Sequence, residues 1–125
     1  MQGLPNTTDH RVFIWHHDPY AQASDHDDIT NRRPLYADAV AKGADVILYS
    51  HDHIYNRGFK DVPFFLVGTG GGKMPDDYCT PERIPTPEVQ RCIHQKLGVL
   101  FLTLSNDGSF TYDFRRADRR NGNLA

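Results

Sequence analysis

The sequence predicts an α/β fold whose mixed sheet is accompanied by a C-terminal β-hairpin, and three features point to it. Three short runs are continuously apolar, Val12 to Trp15, Val46 to Tyr49 and Phe64 to Val67, the pattern of strands buried on both faces. A helical segment separates the first two, so strand, helix and strand form a parallel crossover unit. Near the C-terminus two further strand-like runs flank Asn106-Asp107-Gly108, a composition that turns antiparallel strands.

Taken in order, the first run stops abruptly at His16 and His17, as a buried strand does on reaching a polar loop. The loop from Asp18 to Asn31 is rich in Asp, Ser and Ala, and Thr30 or Asn31 can cap the helix that follows. Leu35, Ala39 and Val40 fall on one face of that helix, and Gly43 is suited to its C-cap. The second run ends at Ser50-His51-Asp52-His53, which brings both histidine groups to the carboxyl ends of neighbouring strands, the edge where open α/β sheets bind ligands. The third run enters Gly68-Thr69-Gly70-Gly71-Gly72, where backbone can approach a site closely. Residues 73–96 are rich in Pro, Asp, Glu and Arg and read as a surface excursion, with a short helix opening at Thr86-Pro87-Glu88 and running through Ile93. Val99 to Leu104 and Phe110 to Phe114 form the hairpin, and the charged tail to Ala125, at its core residues 116–125, frays. The whole of 1–125 is one domain's worth of chain, and a partial domain fits that length as well.

The charge balance, 14 Lys and Arg against 16 Asp and Glu, gives no basic footprint for nucleic acid. No apolar run approaches the roughly eighteen residues of a membrane span, and Met1 to His10 lacks the regions of a signal peptide. If the parent protein is secreted or periplasmic, its signal lies upstream of Met1. Cys79 and Cys92 lack the CxxC spacing of a zinc or redox motif, and a local disulfide and two free thiols both fit. Histidine is the unusual component: five of the seven stand in the groups His16 and His17, His26, and His51 and His53. Clusters of His with Asp are where metal chemistry is sought.

His51 and His53, two residues apart after a strand, can face one side and serve one chelated ion or two adjacent ions. The stretch Val46-Ile47-Leu48-Tyr49-Ser50-His51-Asp52-His53-Ile54-Tyr55-Asn56-Arg57 resembles the Gly-His-x-His segment of the calcineurin-like metallophosphoesterases, in its longer purple-acid-phosphatase form. Ser50 stands where that family usually has glycine, a small-for-small change that is inexpensive unless the backbone there needs positive φ. Val12-Phe13-Ile14-Trp15-His16-His17-Asp18-Pro19-Tyr20 is similar to the family's earlier histidine-bearing strand end. Aligning on Tyr20 makes His16 the ligand and His17 its neighbour, with the reverse assignment as the alternative. Phe64 to Gly72 resembles the family's Gly-rich strand end, so the likeness runs from about Arg11 to Arg116, with 73–96 unmatched.

What the resemblance implies is the C-terminal half of a four-layer α/β/β/α sandwich and hydrolysis of phosphate monoesters by a water activated between two divalent or trivalent ions, iron, zinc or manganese. His16, His51 and His53 would be metal ligands. His26, in Ser24-Asp25-His26-Asp27-Asp28, would bind substrate phosphate and protonate the leaving group; a solvated polar loop is the competing reading. Arg57 either holds phosphate or pairs with an acid of the site. The family's Asp-x-His, Gly-Asp and Gly-Asn-His motifs do not occur upstream of His16. Three neutral imidazoles without a bridging carboxylate cannot neutralise two such ions, so the isolated chain would hold one ion at most and be weakly active or inactive. The partners expected are a phosphate ester and either the missing amino-terminal half or another copy of the chain. The alternative is a non-catalytic histidine metal-binding or scaffold module. One convincing helix is also too little to cover both faces of three apolar strands.

Overall fold

The computed structural model describes residues 9–19, 33–74, 78–80 and 88–117. Within them the chain order is β1 (Val12–His17), α1 (Arg33–Ala41), β2 (Val46–Ser50), β3 (Tyr55–Lys60), β4 (Val62–Val67), β5 (Val89–Ile93), β6 (Gly98–Leu104) and β7 (Phe110–Arg116). The first five strands form one mixed sheet in the order β1-β2-β4-β3-β5, and β6 and β7 form a separate two-stranded sheet. β1, β2 and β4 run parallel, while β3 pairs antiparallel with β4 and β5.

Alternation along each strand sorts the apolar runs between two faces. Ile47, Tyr49, Phe64 and Leu66 face α1 and form a core with Tyr36, Ala39, Ala44, Ile54 and Tyr78, against which Phe13 and Trp15 pack. Val46, Phe65 and Tyr55 face the hairpin, where Leu100, Leu102, Phe110 and Phe114 close over them. Each large side chain buried in this way contributes about 1.5–3 kcal/mol. Helix, sheet and hairpin thus make three layers among the described residues. The hairpin leaves part of its face uncovered, and Ile14 on β1 remains 71% exposed.

Gly43 caps α1 as expected. Its φ is +76°, its N–H bonds the Val40 carbonyl, and the Ala44 N–H reaches back to the Ala39 carbonyl at 3.0 Å, the paired bonds of a Schellman ending. The buried face of α1 differs from the expected one. Leu35 points outward at 48% exposure, and Tyr36 takes the inward place beside Ala39, because its hydroxyl donates to the Lys60 carbonyl at 2.6 Å while its ring fills the core. The expected helix from Thr86 through Ile93 is corrected in its described part: Val89–Ile93 is an edge strand, while Thr86 and Pro87 lie outside the described residues. It pairs antiparallel with β3, from Tyr55 opposite Ile93 to Gly58 opposite Val89, and Cys92 is tied by a disulfide to Cys79. The segment 73–96 therefore returns a strand to the sheet rather than remaining a surface excursion throughout. Tyr55–Lys60 adds a strand that the apolar runs did not mark, and β7 extends through Arg116, two residues past the expected end. Among the described residues no helix is long and apolar enough to cross a membrane.

Candidate metal centre

β1 and β2 are parallel neighbours, so the histidines that follow their apolar runs arrive at the same edge of the sheet. Two local irregularities then aim the rings at one another. On β1 the register with β2 shifts between Ile14, opposite Leu48, and His17, opposite Ser50. One extra residue is thereby accommodated on β1, the kind of bulge that re-aims side chains at sheet ends. At the end of β2, His51 takes φ +75°, a left-handed conformation that non-glycine residues seldom adopt and that tends to occur at functional sites. Ser50 is not among the residues with positive φ, so serine in place of glycine is tolerated there; the left-handed position is one residue later.

The result is three imidazoles gathered at one point. His16 Nε2 and His51 Nδ1 are 3.2 Å apart, close to the separation of about 3.3 Å between two imidazole nitrogens on one tetrahedral zinc ion. The ring centroids of His17 and His51 are 4.3 Å apart, and those of His16 and His17 are 4.7 Å apart. A ligand atom from each of His16, His17 and His51 lies within 4.8 Å of the others. That spread is one a single cation could draw together. The rings are partly exposed, so an ion can enter from solvent and keep a position for water or substrate.

His53 does not join this trio. Its Nδ1 lies 2.5 Å from the Lys73 carbonyl oxygen, and since a carbonyl only accepts, Nδ1 is the donor of this bond, which in a neutral ring leaves the lone pair on Nε2. A backbone carbonyl holding Nδ1–H in this way is the usual support for an imidazole that binds metal through Nε2. The glycines of the β4 loop make the placement possible. A Cβ at Gly72 would lie 2.3 Å from the His53 ring, and one at Gly68 would lie 1.8 Å from the Asp52 carbonyl oxygen. Asp18 and Asp52, each next in sequence to a histidine of the trio, are buried carboxyls outside it.

The other expected site residues are placed differently. His26 lies outside the described residues, as do Tyr20, Thr30 and Asn31. Arg57 is on β3 opposite Phe65, inward of the carboxyl edge, where its guanidinium donates to the Tyr112 hydroxyl and stacks over the Tyr112 ring. β3 is two strands from β2, so about 10 Å of sheet separates it from the His51 strand. Above the sheet, an apolar cleft of about 380 Å³ opens between Ile14, Leu48 and Val67 on one side and Val99, Leu100 and Leu102 of β6 on the other. Compared with known proteins, the chain matches no family model and no curated protein.

Proposed function

We propose that this chain supplies the histidine half of a metal-dependent phosphomonoesterase, as the C-terminal part of a metallophosphoesterase-type α/β/β/α sandwich. The observation that carries the reading is the meeting of His16 and His51 from the ends of two parallel strands. His16, His17 and His51 would hold one divalent ion, and His53, held through Nδ1 by the Lys73 carbonyl, would be a ligand to a second. Bound ions would supply Lewis acidity and an activated water. Carboxylate ligands would come from a complementing segment. The uncovered apolar cleft between β1, β2 and β6 gives such a segment a place to pack.

The test is complementation. Co-expression with a segment bearing Asp-x-His, Gly-Asp and Gly-Asn-His motifs should yield hydrolysis of a chromogenic phosphomonoester that depends on zinc, manganese or iron. His16→Ala or His51→Ala should abolish that activity. A second reading is favoured by the self-contained character of the trio: a non-catalytic module that binds one ion through three imidazoles. Stoichiometric metal binding with no phosphatase activity under complementation would select it.

A further inference from the structure

On the far side of the sheet from β1, β3 and β5 lie antiparallel with Arg57 opposite Arg91, just before a register shift that sets Gly58 opposite Val89. Side chains paired in this way leave the same face with Cβ atoms about 5 Å apart, and like charges there destabilise the sheet. Among the described residues, Glu88, beside Val89 on β5, lies 3.6 Å from Lys60, and Asp113 of β7 lies 2.7 Å from Arg115. Among the described residues no ion pair or hydrogen bond reaches the Arg91 side chain. Arg57 is fixed in place by the Tyr112 hydroxyl and ring, and its Nε is buried without a partner. Both guanidiniums also act on Tyr55. Burial pushes its hydroxyl above the usual phenol range, while Arg57 and Arg91 pull it back.

We infer that Arg57 and Arg91, with the Tyr112 hydroxyl beside them, form a binding site for a doubly charged oxyanion such as a phosphate group. Two guanidiniums on paired residues carry two positive charges and N–H donors in excess of the one that Arg57 gives to Tyr112, the complement of a tetrahedral dianion. Arg57 is the preset half of the clamp. Arg91, exposed on the edge strand, is the half that closes on the ligand. The site does not rest on the metal reading, because it lies about two strand spacings from β2 and uses no imidazole.

Thermal unfolding of the full chain, free of metal, tests it with inorganic phosphate, acetate and chloride at matched ionic strength. Phosphate should raise the unfolding temperature saturably, whereas acetate and chloride should not. Arg91→Ala should weaken the phosphate response at least about tenfold, the loss expected with a charge-assisted hydrogen bond. Arg91→Glu sets a carboxylate opposite Arg57, so in chloride it should unfold above the wild type and show no phosphate response. Phenyl phosphate separates two sources of the same chemistry: a response equal to that of phosphate identifies a site open to esters, and none identifies a site for the free ion. Equal phosphate stabilisation of wild type and Arg91→Ala, or an Arg91→Glu chain no more stable than wild type in chloride, would overturn the assignment.

Discussion

The two faces of the five-stranded sheet are finished to different degrees. On the helix side, Tyr36, Ile47, Tyr49, Ile54, Phe64 and Leu66 are all buried, and a polar tip such as the Tyr36 hydroxyl finds a backbone carbonyl. On the hairpin side, Val46, Tyr55 and Phe65 are covered by β6 and β7, yet Ile14 stands exposed and the cleft beside Leu48 is open. The stability of the isolated chain therefore comes mainly from the helix face. The hairpin face is where another segment has most to gain by packing, and it adjoins the strands that carry the imidazoles.

Substitutions on the two faces should differ accordingly. Phe64→Ala empties the centre of the helix-side core and should cost about 3–5 kcal/mol, read as a large fall in the denaturant midpoint. Reduction of the Cys79–Cys92 disulfide, which joins cysteines at a sequence separation of 13, should cost about 3 kcal/mol by freeing the unfolded chain. Comparing unfolding with and without reductant measures it. Gly43→Ala forces a Cβ into the left-handed cap of α1 and should cost about 1 kcal/mol. Ile14→Ser, on the unfinished face, should change the stability of the isolated chain by no more than about 0.5 kcal/mol, yet weaken association with a complementing segment. A large loss of stability for Ile14→Ser would show that this face is already covered in the free chain and would remove the contrast.

The three strands with continuous apolar runs were legible, and so was the hairpin, because burial on both faces and a turn composition leave plain marks. Tyr55–Lys60 was not legible as a strand. Its Asn56, Arg57 and Lys60 break any apolar run, and it is built by pairing with β4 through a turn in which Asp61 takes positive φ. Val89–Ile93 was not legible either: Gln90 and Arg91 interrupt any apolar run or alternation, and the preceding Thr86-Pro87-Glu88 resembles a helix start. Loss of that strand from the reading also hid Arg91 as the neighbour of Arg57. At the candidate metal centre, the strand ends placed His16 and His51 together. The inclusion of His17 depends on a register shift, and the diversion of His53 depends on a loop carbonyl 20 residues away in sequence. Neither is written in the spacing of the histidines.

Calorimetric titration of the chain with zinc, on wild type and on His51→Ala, tests the central claim most directly. One ion per chain is expected, with affinity falling toward acid pH because imidazole binds metal only when neutral. His51→Ala removes the ring that bridges the two strand ends and should weaken binding by about 100-fold or more, since roughly one ligand of three is lost from a tri-imidazole site. Equal affinity in wild type and His51→Ala would contradict a metal centre at this edge of the sheet, and with it the phosphoesterase reading.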